Sequence, residues 1–337
     1  MSDFIKNDLI SNNNYAKNSN TIFSETISLD IFDSYQNKNL KIIDQSQKTV
    51  NYINKKFYIS DGDIIFCKRD MLHILFSVLK NARINDISII LHQTDHIVNK
   101  KALKKMPNNI QKIYSINVKD YHSKIEPIPI GLSGTYSYKN LQEKDFNLSN
   151  LNFNIVEKIN KVYLNFDINT NRKKRKNIVE HFSKFDWAFI ESNIDITEYK
   201  KRLEEFTFVL CPQGNGVDTH RIWETLYSGS IPIVENHFTH RNLFDLPILF
   251  IDDFRSLTKL HLENFKEEFN IKNFNRDKLF LDFWINEINN SKNYINRNRI
   301  EIEVSDKLIY IYIIKKKISK FITKIWKFFR YYIYKYL

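Results

Sequence analysis

The chain is short of the two residues that interrupt regular structure: its 337 residues include six glycines and six prolines. That poverty excludes a Gly- or Pro-rich low-complexity chain and makes each position of either residue informative. Cysteine is scarcer still. Cys67 and Cys211 lie far apart, with neither the ligand spacing of a zinc site nor a disulfide framework, so a reducing compartment is the simpler reading. No run of about 18 apolar residues occurs, which excludes an ordinary membrane-spanning helix. The Asn-rich start lacks the apolar core of a secretory signal, and residues 1–22 read as a flexible leader without a site. Acid is missing from one place, since Lys307 to Leu337 holds nine Lys or Arg and no Asp or Glu. The remaining residues carry 42 bases (51 less nine) against 39 acids, so the net charge of +12 belongs mainly to the tail. A nucleic-acid partner is not expected, because the excess charge is confined there and no nucleic-acid motif appears.

What is present fits a globular chain. Hydrophobic residues make up 42% and aromatics 14%, enough for real cores, and the length suits two domains. The runs DGDIIFCKRD, DISIILHQTD, IQKIYSINV and KIEPIPIGLSG each hold a short β-rich stretch. RDMLHILFSVLKN and HIVNKKALKKM between them have helical spacing. Alternation of strand and helix predicts α/β domains with parallel sheets covered by helices. Boundaries are expected at 23–155 for a first domain, 156–300 for a second beginning near the strand VYLNF, and 301–337 for a basic amphipathic tail.

The glycines and prolines fall into two clusters: Pro127, Pro129, Gly131 and Gly134, then Pro212, Gly214, Gly216, Gly229 and Pro232. The second lies in FTFVLCPQGNGVDTHRIWETLYSGSIPIV, residues 206–234, which reads as strand, glycine loop, helix and strand. Asp218 or Thr219 would cap the helix, whose unpaired N–H groups and positive dipole end suit a pyrophosphate. Arg221 and Glu224 share a helix face. Arg221 could hold a diphosphate through two parallel bonds and Glu224 the hydroxyls of a ribose. An ordinary surface ion pair explains the same spacing.

The run LCPQGNGVDTHRIWETLYSGSIPIV resembles the donor-site signature of exostosin-like glycosyltransferases, including the ribitol xylosyltransferase type. The resemblance implies two Rossmann-like domains facing across a cleft (the GT-B type), with a nucleotide sugar held by the second. It implies donor contacts at Gly214, Asn215, Gly216, Asp218, His220, Arg221 and Glu224. Where relatives commonly have Arg this chain has Gln213, and Arg172 or Arg175 of the basic loop NRKKRK could restore the lost charge; a solvated charge run is the alternative.

Inverting transfer needs a base for the acceptor hydroxyl and positive charge for the leaving nucleoside diphosphate. At the expected end of a first-domain strand, Asp95 is the first candidate base and His92 the second, with His96 beside them. No metal or cofactor is expected: Asp61 and Asp63 bracket Gly62 before a strand, which a turn explains equally well. In the tail, Lys317, Lys320, Lys324 and Lys327 form one helical stripe. Ile318, Phe321, Ile325, Phe328, Phe329 and Tyr332 fall largely opposite, the pattern of a helix lying in an anionic membrane interface. The expectation is therefore a transferase peripheral on a cytoplasmic membrane face, with a glycan or lipid-linked acceptor. An inactive transferase-like scaffold is the alternative.

Overall fold

Apolar runs such as ISIILH and FTFVL are too short for helices and show no alternation, so they predict strands covered on both faces. The computed structural model describes residues 8–35, 37–137, 139–147, 151–269, 271–289 and 298–336. Its first domain comprises α1 (Asn12–Lys17), β1 (Thr21–Ile22), β2 (Ser24–Ser28), α2 (Leu29–Asp33), β3 (Leu40–Gln45), β4 (Thr49–Asn54), β5 (Lys56–Ser60), β6 (Ile64–Lys68), α3 (Leu72–Leu79), β7 (Ile87–His92), β8 (Ile110–Ser115) and β9 (Ile125–Pro127). Strands β1-β6-β7-β8-β9 form one parallel sheet in that order, and β2-β4-β3 a small antiparallel one. Lys68 pairs with His92, so β6 and β7 end level and present one edge.

The second domain runs through β10 (Ile159–Leu164), α4 (Arg172–Phe182), β11 (Ala188–Ile190), α5 (Ile196–Glu205), β12 (Phe206–Leu210), α6 (His220–Tyr227), β13 (Ile231–Glu235), β14 (Leu249–Ile251), α7 (Lys259–Phe269) and α8 (Leu281–Asn289). Its parallel sheet has the order β11-β10-β12-β13-β14. The chain is thus α/β with two Rossmann-like domains. The predicted strand 206–210 is β12, whose five residues are all buried.

Three expectations are corrected. Residues 1–7 lie outside the described residues, but the rest of the expected leader is core: Leu9, Ile10, Tyr15 and Ala16 are at most 1% exposed and pack in one cluster with Trp223 and Tyr227. Asn-rich composition concealed four apolar side chains that seat between the domains. Gly131 accommodates this segment: it takes φ +66°, and a Cβ there would stand 2.1 Å from the Ile10 carbonyl oxygen. Secondly, the helix expected in HIVNKKALKKM is only a 3₁₀ turn, Lys100–Leu103, with Leu103 its one buried residue. Too few apolar side chains reach the core to hold a longer helix.

Thirdly, the boundary at 301 cuts through β15 (Arg299–Glu303), which pairs antiparallel with β5 and so returns the chain to the first domain. The helix that follows, α9 (Asp306–Tyr336), starts on that domain too. Ile309 and Tyr312 belong to its core, Asp306 pairs with Lys55 at 2.6 Å, and Lys316 and Lys320 reach Asp44. From Lys317 onward every described side chain of α9 is exposed. The side chains of Lys327, Phe328 and Tyr332, named in the tail pattern, lie outside the described set. Among the described residues no helix is long and apolar enough to cross a membrane.

Candidate active site

The glycine loop Cys211–Thr219 joins β12 to α6 and is gripped from both sides. From its own domain comes Arg175 of α4, 6% exposed. Its Nε donates to the Gln213 carbonyl at 3.1 Å, Nη1 to that of Asp167 at 2.7 Å and Nη2 to that of Pro212 at 2.9 Å. Burial, together with the charge of Arg221, pushes its pKa down to about 10. Arg175 therefore does not fill the expected role of a free phosphate-binding charge; its donors are spent on the backbone carbonyls of Asp167, Pro212 and Gln213. Arg172 is exposed at the first position of α4.

From the first domain comes Asn117, fully buried, at φ +56°. Its Oδ1 accepts the backbone N–H groups of Val217 at 2.8 Å and Asp218 at 3.0 Å, while Nδ2 donates to the Thr94 carbonyl at 3.1 Å. Gly216 permits this approach, for a Cβ there would lie 2.7 Å from Nδ2. The missing side chain thus makes room for a protein amide, where the resemblance implied a donor contact. Gly214 lies in the same turn, its N–H donating to the Gly216 carbonyl at 3.0 Å.

Asp218 and His220 also join the domains. The Asp218 carboxylate, 3% exposed, accepts the Ile130 N–H at 2.7 Å, and burial pushes its pKa up to about 7. His220 donates from Nδ1 to the Gly131 carbonyl at 2.8 Å. The two glycine clusters of the sequence thus face each other across the domain boundary. Asp218 is corrected from a donor contact to an interdomain fastener, because its carboxylate is turned into the protein. The residue preceding α6 is Thr219, and no side chain caps the helix.

On α6, Arg221 and Glu224 do not form a simple pair. Arg221 Nη1 donates to the Tyr199 hydroxyl at 2.8 Å, and that hydroxyl donates to Glu224 Oε2, also at 2.8 Å. The guanidinium stands over the Tyr199 ring, 5.2 Å from its centroid. Glu224 is 5% exposed. Tyr199 escaped the sequence reading because it belongs to α5, outside the glycine-loop segment.

Residues 137–291 match the family model of the RXYLT1 C-terminal domain, the ribitol xylosyltransferase type that the sequence resembles. This segment is RXYLT1-like. The chain therefore carries a glycosyltransferase domain, with the first domain and α9 outside the match. No curated protein matches significantly. Among solved structures, the DNA-modifying β-glucosyltransferase of T4 phage is 14% identical, with 68% of this chain and 76% of that chain covered at TM-score 0.30. A spinosyn rhamnosyltransferase in complex with spinosyn aglycone is 8% identical, covering 68% and 69% at TM-score 0.28. At those values the likeness is remote and decides nothing about chemistry.

The first domain presents its strand ends to the RXYLT1-like loop. Asp95 follows β7, is exposed, and accepts from Asn215 Nδ2 at 3.3 Å. His92 is different. It is 1% exposed, its ring 5.6 Å from that of Tyr15 and stacked on Phe66, and burial pushes its pKa down to about 3. A neutral, enclosed imidazole is no base for an acceptor hydroxyl, so that second choice is corrected. A further carboxyl at this edge, missed in the sequence, is Glu25 on β2. Burial raises its pKa to about 7, and the Tyr52 hydroxyl donates to it at 3.1 Å. Lys68 lies close by, with burial lowering its pKa to about 8. Nothing in SETIS separates Glu25 from an outward strand residue.

Proposed function

We propose that the protein moves a sugar from a nucleotide-sugar donor to a glycan or lipid-linked acceptor, with inversion and without a resident metal. The observation that carries this reading is the 3.3 Å contact between Asn215 of the RXYLT1-like loop and Asp95 of the first domain. It brings an exposed carboxylate beside the loop that leads into an uncapped helix N-terminus.

In this reading the diphosphate meets the positive N-terminal end of the α6 dipole, with further charge from Arg221 and from the exposed Arg172. The acceptor oxygen forms its bond to the anomeric carbon as the bond from that carbon to the phosphate oxygen breaks. The electron pair leaves with the nucleoside diphosphate, and the acceptor proton passes to Asp95. Cationic and dipolar stabilisation of the leaving group is the work a metal does elsewhere. Among the described residues no three His, Cys, Asp or Glu side chains converge as ligands.

Location at a cytoplasmic membrane face is supported by α9. Ile318, Phe321, Ile325 and Trp326 are all exposed on a helix that also carries Lys317, Lys320 and Lys324. Such a helix lowers its apolar side chains into the headgroup region while lysines reach phosphates.

Asp95→Asn tests the catalytic part. Transfer is expected to fall about 10²- to 10⁴-fold in kcat, the usual worth of a general base, with donor affinity unchanged by calorimetry. A kcat within threefold of the parent, at about the same donor affinity, would remove Asp95 from the reaction.

A further inference from the structure

A groove of about 1440 Å³ lies on the first domain between α3 and the segment 101–109, remote in sequence from the RXYLT1-like loop. Arg69, Lys80, Arg83, Lys101, Lys104 and Lys105 line it, and no Asp or Glu does. Five of these six, all but Arg69, are exposed. Like charges gathered around a concavity repel one another and concentrate anions there. The floor is apolar, with Leu72, Phe76 and Ile84 buried beneath the basic rim. A rim of cations over hydrocarbon matches a phospholipid headgroup and the first part of its chains better than it matches a bare inorganic ion.

The groove is continuous with the tail. His73, one of its lining residues, packs against Tyr312 of α9 with ring centroids 5.6 Å apart. Burial lowers the His73 pKa, and Lys315 of α9 and Arg69 of the groove both lower it further, which places the two basic elements around one imidazole. The exposed apolar residues Ile314, Ile318 and Phe321 follow on the same helix.

We infer that this groove is a second membrane contact, taking the phosphate groups of anionic lipids while α9 enters the interface beside it. The inference rests on the membrane reading of α9 and adds an orientation: the first domain lies against the bilayer on its α3 side. The tail and the groove then bind cooperatively, since each holds the other close to the surface.

Three full-length proteins test it: the parent, a groove variant (Lys80→Gln, Lys104→Gln, Lys105→Gln) and a tail variant (Ile318→Asp, Phe321→Asp). Binding is measured by co-sedimentation with phosphatidylcholine vesicles with and without phosphatidylglycerol, and insertion of α9 by the emission of Trp326, which is 70% exposed. Each Lys near an anionic surface is worth about fivefold in affinity. The groove variant should therefore lose on the order of a hundredfold on anionic vesicles, keep the Trp326 blue shift at saturating lipid, and transfer sugar to a soluble acceptor at the parent rate. The tail variant should lose the blue shift. A groove variant within about threefold of the parent overturns the inference while leaving the tail reading intact. A tail variant that keeps both binding and blue shift overturns the tail reading itself. Tight binding of a duplex oligonucleotide that the groove substitutions abolish, with vesicle binding kept, reassigns the groove to nucleic acid and also overturns the inference.

Discussion

Replacing Asn117 removes one side chain and unfastens two domains. Its Oδ1 accepts two N–H groups of the RXYLT1-like loop, and its Nδ2 holds the Thr94 carbonyl one residue from Asp95. In Asn117→Ala two buried N–H groups and one part-buried carbonyl lose their partner, at about 1–3 kcal/mol for each buried group before relaxation. Alanine also occupies the left-handed φ of +56° less readily than Asn, adding about 1 kcal/mol. A net cost of about 3–5 kcal/mol is expected after the loop settles. For a unit of this size that is a fall of about 4–10 °C in the melting temperature, read by calorimetry. Two further variants separate the terms. Asn117→Asp keeps an acceptor for both N–H groups, but its buried carboxyl must hold a proton to face the Thr94 carbonyl, so it should be milder than Asn117→Ala at acid pH and lose that advantage as pH rises. Asn117→Gly sheds the backbone strain and should sit about 1 kcal/mol above Asn117→Ala. The catalytic rate should follow the same order, because the loop that carries Asn215 and the turn that carries Asp95 are fixed through this amide. An Asn117→Ala protein within about 0.5 kcal/mol of the parent, or an Asn117→Asp protein worse than Asn117→Ala at acid pH, would refute the reasoning.

Two other predictions follow from the loop. Arg175→Lys should lose at least two of the three carbonyl contacts and cost about 2–4 kcal/mol; urea unfolding at the parent's value would show that the guanidinium does not hold the loop. Asp218 should make stability depend on pH. Its carboxyl titrates near 7 when folded against about 3.9 unfolded, so the folded state binds the extra proton between those values. Its stabilising contribution is whole below about pH 4 and is lost as pH rises to about 7. Asn at 218 keeps an acceptor for the Ile130 N–H and has no proton to lose. Asp218→Asn should therefore gain stability relative to the parent as pH rises across that window, and a flat difference between the two curves would exclude the buried carboxyl as the cause.

The order of elements around the glycine loop was legible from local chemistry. Four apolar residues and a β-branched threonine gave β12, the turn residues gave the loop, and the spacing of Ile222, Trp223 and Leu226 gave α6. Those features depend on neighbours in sequence, and so did the donor signature that matched the RXYLT1 model. The leader was misread for the opposite reason. Leu9, Ile10 and Tyr15 are too few to show a period, and their burial comes from residues distant in sequence, such as His92 against Tyr15 and Tyr227 against Ile10.

What the sequence by itself determined is therefore the class of protein: α/β, two parallel sheets, a glycine loop of glycosyltransferase type, and a tail with all its charge of one sign. Tertiary structure decided what the individual residues do. Gly216, Asp218, His220 and Arg175 have the chemistry of ligand contacts, yet folding turns them onto Asn117, Ile130, Gly131 and the loop carbonyls. A polar side chain carries the same donors and acceptors whether it meets substrate or backbone, and only the approach of elements distant in sequence determines which it is. The same approach sets the exposed Asp95 beside Asn215, whereas His92, only three residues earlier in sequence, is enclosed by Tyr15 and Phe66.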